Sequence, residues 1–196
     1  SYVVRIFDWG VDGRAFLVTE YLAGGSLRSI LDSGRTLSPS QILTVSLEAC
    51  RALEHAHAQG TVHRDIKPSN VFLENLRDGS QVVKVLDFGI ARIGESSGEF
   101  GKESLTQTGT VLGTPSYMSP ERAMGKGMDH RSDIYAVGVL MYVMATGRTP
   151  FEGTEPMSVL FKHVSEPVPA IADKTTQKHP AWMDTLISRL MAKEPS

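Results

Sequence analysis

Cysteine is almost missing from this chain: Cys50 stands alone among 196 residues, which rules out a disulfide framework and suits a reducing cytosol. Long apolar runs are missing too. The longest, Tyr135 to Ala145, is far short of the ~20 residues needed to span a bilayer, and it reads as a buried core helix with no membrane segment anywhere in the chain. Charge of one sign is also lacking. Twenty Lys and Arg against 22 Asp and Glu leave a net charge of −2, so nucleic-acid binding has no electrostatic support. His55, His57, His130, His163 and His179 form no metal-spaced set with acidic or Cys partners and receive no role. No secretory leader is expected from the first residues, and the sequence shows no internal repeat or low-complexity tract. The chain opens on Ser1 rather than Met, directly in a strand-like pattern, which suggests a processed start or a piece of something longer.

What is present reads as one domain, large enough for a single good core. Val3, Val4, Ile6 and Phe7, then Ala15 to Glu20, flank a polar turn at Asp12-Gly13 and predict a hairpin. Gly24-Gly25 is expected to break the chain before a short helix capped by Ser26. Ser38 with Pro39 opens a longer helix that Gly60 closes. Short strands are expected at Val71-Phe72-Leu73 and from Val82 to Leu86, around the turn at Asp78-Gly79. Residues 90–117 have loop chemistry. An apolar helix over Ser132 to Ala145 and an amphipathic one over Pro180 to Ala192 complete a mostly helical body with two small β-ribbons.

The informative string is His63-Arg64-Asp65-Ile66-Lys67-Pro68-Ser69-Asn70, followed by Asp87-Phe88-Gly89. It offers a carboxylate that can receive a hydroxyl proton, a nearby cation, an amide oxygen and a second carboxylate. Together these are the parts of a phosphoryl-transfer site. Any one of them alone reads as a solvated turn residue; the full set in this order does not. On these motifs the chain resembles the protein kinase superfamily, in its Ser/Thr branch. The stretches 86–91, 113–121 and 131–138 resemble the eukaryotic-like kinases of bacteria.

The resemblance implies an α+β, protein-kinase-like fold using ATP and Mg²⁺. In it Asp65 is the catalytic base, Lys67 stabilises the charge of the transferred phosphoryl group, and Asn70 and Asp87 hold the metal. Lys67 and Thr114 favour Ser/Thr hydroxyls, with Thr114 bridging Asp65 and Lys67. Thr19 would be a small gatekeeper, Glu20 and Leu22 would hydrogen-bond adenine through their backbone, and Phe72 would lie beneath the ring. Ile6, His63 and Phe88 would stack between the lobes, and Gly89 would allow the turn its backbone conformation. Asp133 would hold the catalytic-loop backbone. Glu121 would pair with an Arg that falls after Lys193-Glu194-Pro195-Ser196, so its charge is expected to stand without a partner here. Thr106 and Thr108 would be autophosphorylation sites whose phosphates order the segment against Arg64.

Residues 1–22 are expected to be the end of the small lobe with the hinge, and 23–196 the large lobe, cut short at its C-terminal end. No Gly-rich loop, strand Lys or helix Glu precedes Ile6. The expectation is therefore a cytoplasmic Ser/Thr kinase that phosphorylates proteins and itself, with these residues inactive when alone. The alternatives are a pseudokinase or binding module, or a truncated remnant. The retention of Asp65, Asn70 and Asp87 argues for the enzyme.

Overall fold

The computed structural model describes residues 2–88 and 114–194. In chain order they form β1 (Ile6–Asp12), β2 (Arg14–Thr19), β3 (Gly24–Ser26), α1 (Leu27–Asp32) and α2 (Pro39–His57). Next come β4 (Val71–Asn75), β5 (Gln81–Val85), α3 (Pro120–Ala123), α4 (Arg131–Thr146), α5 (Pro156–Ser165) and α6 (Ala181–Leu190). The mixed α+β fold is the one expected for a kinase.

Local signals set the helix ends. Ser38 and Gln41 form a capping box in which each side chain bonds the other's backbone N–H, and Pro39 needs no donor at the first helical position. Ser26 caps α1 by accepting from Ser29 N. Gly147 ends α4 in the left-handed conformation, at φ +72°.

α4 is apolar around nearly its whole circumference, with thirteen of its sixteen residues buried, as a helix through the centre of a core must be. α2 and α6 pack on it, and Leu140, Met141 and Tyr142 meet Ile42, Leu53, Met183 and Ile187 in one cluster. His163 of α5 is fully buried beside it. Its Nδ1 lies 2.8 Å from the Tyr135 hydroxyl, and its ring meets Phe151 edge-on.

Two sheets complete the fold. β1 and β2 form an antiparallel hairpin in which Asp12 pairs Arg14 and Ile6 pairs Thr19. β3, β4 and β5 form a second antiparallel sheet in that order. Two expectations need correcting here. Gly24-Gly25 does not break the chain: both residues pair with β4, and the carbonyl of Leu73 lies where a Cβ on Gly24 would have to go. Val3 and Val4 are not hairpin residues. Val3 bridges Val85 in parallel, and Val4 N donates to Val85 O at 3.2 Å, because the outer edge of β5 offers free backbone groups.

Candidate active site

The catalytic-loop string runs from the end of α2 to β4, and its backbone is strained at one point. Arg64 adopts φ +69°, the left-handed region that costs a non-glycine residue roughly 1–2 kcal/mol. The neighbours hold it there. Asp133, 1% exposed in the first turn of α4, accepts from His63 N through Oδ2 and from Arg64 N through Oδ1, both at 2.8 Å. The carbonyl of Arg64 accepts from Arg122 Nη1.

The ring of His63 is fixed from both ends. Nδ1 accepts from Asp65 N at 3.2 Å, which leaves the proton on Nε2 to be donated to Leu86 O at 2.8 Å. That arrangement suits a neutral imidazole, and burial lowers the pKa of His63 below its ordinary value. His63 therefore works as a packed core residue, with Phe88 edge-on at 4.6 Å between ring centres. Ile6 does not join them. It lies on β1 and is 45% exposed.

Downstream of the strained residue the polar groups converge. Asp65 Oδ2 lies 2.7 Å from Lys67 Nζ. Asn70 Nδ2 donates to the same Oδ2 at 3.1 Å and to the Asp65 carbonyl at 2.9 Å. The Asn70 amide thus spends its donors on Asp65, while its Oδ1 accepts from Ser69 Oγ at 3.3 Å. Asp87, also left-handed at φ +60°, is brought alongside by Leu86 N, which donates to Asn70 O at 2.9 Å. Two oxygen ligands of this kind fit Mg²⁺, which takes one or two protein groups and completes its shell with water and phosphate. No cluster of three or more His, Cys, Asp or Glu side chains suited to a metal exists among the described residues.

A cavity of about 380 Å³ opens beside Asp87, lined by Val4, Thr19, Glu20, Leu22, Phe72 and Leu86 among others. The hinge residues and Phe72 therefore share one space with the second carboxylate. Glu20 is anchored through its side chain, which accepts from Arg5 N at 2.9 Å and pairs with Lys84 Nζ at 3.0 Å. The Arg5 N–H and then Lys84 hold its carboxyl below the usual range. The Glu20 carbonyl accepts from Thr19 Oγ1 at 3.2 Å.

Five of the expected residues come out differently or lie elsewhere. Thr114 stands just before the 3-10 turn Pro115–Tyr117 and makes no hydrogen bond to Asp65 or Lys67 among the described residues. Glu121 is not without a partner: Ser132 Oγ donates to it, and Arg131 and Arg189 line the same cavity of about 310 Å³. Gly89, Thr106 and Thr108 lie outside the described residues.

One contact was missed from sequence. His57 Nε2 lies 2.7 Å from Asp133 Oδ2, so the last residue of α2 braces the carboxylate that holds the loop. Metal spacing was the wrong test for this histidine. Its position at the C-terminal end of a capped helix, just before the loop, was the usable signal.

The comparisons with known proteins agree with this geometry. The protein kinase domain model matches residues 1–196. Over 196 aligned residues the chain is 40% identical to serine/threonine-protein kinase pkn3 of Myxococcus xanthus, an alignment covering 98% of this chain and 36% of that protein. It is 40% identical over 200 residues to a probable serine/threonine-protein kinase of Streptomyces coelicolor, covering 98% and 28%. It is 39% identical over 199 residues to serine/threonine-protein kinase PknB of Mycobacterium tuberculosis, covering 98% and 30%. The chain thus spans about a third of the length of these bacterial relatives. Matched from end to end by the family model, this chain belongs to the protein kinase domain family.

Proposed function

We propose that the protein carrying this chain is a Ser/Thr protein kinase that moves the γ-phosphate of ATP to Ser or Thr hydroxyls of protein substrates and of itself. The observation that supports it best is the cluster of Asp65, Lys67 and Asn70, tied through Asn70 O and Leu86 N to the neighbouring Asp87, which lines the cavity with the hinge residues. Proteins of this family use ATP with Mg²⁺.

Asp65 orients the substrate hydroxyl and takes its proton as the oxygen attacks, help of a kind typically worth ~10²–10⁴-fold. Lys67, held against Asp65, sets positive charge where the transferred phosphoryl group gathers negative charge. Asn70 and Asp87 would hold the Mg²⁺, which when bound neutralises the phosphate oxygens. Thr19, Glu20, Leu22 and Phe72 bind the adenine end, with Glu20 kept in place by Lys84. Thr114 contributes to the preference for Ser and Thr, and Thr106 and Thr108 are the proposed autophosphorylation sites, with Arg64 receiving their phosphate. Residues 1–22 belong to the small lobe and hinge, and 23–196 to the large lobe. The proposed site of action is the cytoplasm, either free or tethered to the inner face of a membrane by segments other than these residues. Among the described residues no helix is long and apolar enough to cross a membrane. These 196 residues alone contain no Gly-rich phosphate loop and no strand Lys, so assayed by themselves they transfer no phosphate.

The test uses the complete protein. ATP binding should depend on Mg²⁺, and Asp87→Asn should remove that dependence. Asp65→Asn should abolish transfer while ATP still binds. Transfer that survives Asp65→Asn would sink the reading, and ATP binding without transfer in the parent protein would favour a pseudokinase.

A further inference from the structure

We propose that Arg122 is a positioning residue that couples the turn Pro115–Tyr117 and α3 to the catalytic loop through the carbonyl of Arg64. The inference rests on the kinase reading above and adds a residue to it. The peptide unit joining Arg64 to Asp65 has two polar ends, and each is held by a different side chain. Its carbonyl accepts from Arg122 Nη1, and its N–H, that of Asp65, donates to His63 Nδ1 at 3.2 Å. The preceding N–H, that of Arg64, is fixed by Asp133 Oδ1 at 2.8 Å. A peptide plane held at both ends cannot rotate, so the direction in which the Asp65 side chain leaves the backbone is set.

Arg122 is the outlying member of this set. His63 belongs to the loop itself, and Asp133 belongs to the buried helix α4. Arg122 belongs to a four-residue helix that follows the turn Pro115–Tyr117 directly, separated from it only by Met118 and Ser119. The neighbouring Glu121 is itself fastened to the first turn of α4 by Ser132 Oγ. Two adjacent side chains on one short helix therefore reach the core helix and the catalytic loop. A shift of the turn, as when a peptide lies against it, reaches the Arg64–Asp65 peptide through one guanidinium. Arg122 does not line the cavity shared by Thr19, Glu20, Leu22 and Phe72, so it does not touch the proposed adenine end.

The experiment measures steady-state phosphorylation of a Ser/Thr peptide by the complete protein. Arg122→Ala, Arg122→Lys and Arg122→Gln are compared with the parent, with ATP-binding stoichiometry counting the folded molecules. Asp65→Asn serves as the control for the reading itself. Arg122→Ala should lower kcat per folded molecule on the order of 10–100-fold, the scale of a misplacement of about 1 Å. KM for ATP should stay unchanged. Arg122→Lys, or millimolar guanidinium added to Arg122→Ala, should restore part of the loss. A kcat per folded molecule equal to that of the parent overturns the proposal. So does a loss matched entirely by lost ATP-binding stoichiometry, which would mark a purely structural role. Should Arg122→Ala not fold, Arg122→Gln keeps an N–H donor without the charge and carries the same test through guanidinium and KM. A parent whose transfer does not need Asp65 removes the kinase reading and this proposal together. A parent that needs Asp65 but is indifferent to Arg122 removes only the proposal.

Discussion

The hairpin β1–β2 and the helix α4 draw on the same kinds of side chain and treat them in opposite ways. In α4, Val137, Leu140 and Met141 are sealed on all sides. On the hairpin, Trp9 is 62% exposed and Val11 77%, with Phe7, Phe16 and Val18 also open. Both elements are well formed locally, one by helical hydrogen bonds and one by a regular antiparallel register. The difference teaches that apolar residues make an element legible but do not decide what it contributes to stability. Only partners do that. It also shows why the strained loop is attached where it is: Asp133, which holds the loop backbone, belongs to the sealed region, with the half-buried His57 bracing it from the edge, and a packed surrounding can keep Arg64 in an unfavourable conformation.

The comparison can be broken or sharpened by experiment. The largest effect belongs to the rigid side of the molecule, where Asp65→Asn in the complete protein should lower phosphoryl transfer by ~10²–10⁴-fold, read as kcat with ATP and Mg²⁺. Leu140→Ala should cost about 2–5 kcal/mol of unfolding free energy in a denaturant titration, since nothing near the middle of α4 can collapse into the gap.

His163 supplies a pH test of the same core. Burial, and then the charge of Lys193, push its pKa down to about 4, against 6.5 when exposed. As pH falls below 6.5 the unfolded chain takes up this proton first, so stability is complete above that value and drains away down to about 4. Between pH 7 and pH 5 the loss should be about 2 kcal/mol, and His163→Asn should flatten that part of the profile. At the small end, Val11→Ala on the hairpin should change stability by no more than about 0.5 kcal/mol, because the side chain it removes touches mostly solvent. If Val11→Ala cost as much as Leu140→Ala, the contrast between the two regions would fail.

Much of this was legible without coordinates, and particular residues show why. The capped start of α2 at Ser38-Pro39, the apolar run of α4 and the turn at Asp78-Gly79 are local signals, and each fell where expected. The string from His63 to Asn70 was readable because its chemistry is packed into eight neighbouring positions. Gly24-Gly25 misled because glycine signals permission rather than a break, and the permission was used for close approach to β4. Thr114 has the expected place in the chain without the expected hydrogen bond, and Glu121 found Ser132, eleven positions away.

By itself, the sequence marked the capped helices, most of the strands and the string that carries the proposed reacting groups, since these follow from hydrogen-bonding and charge over a few residues. The tertiary structure alone decided the brace of His57 on Asp133, 76 positions apart, and the hold of Arg122 on Arg64, 58 apart. It also decided which apolar faces are covered. The physical reason is that a buried carboxylate or a strained peptide takes whatever donors the packing brings within about 3 Å, and that proximity is written in the fold rather than in any local pattern.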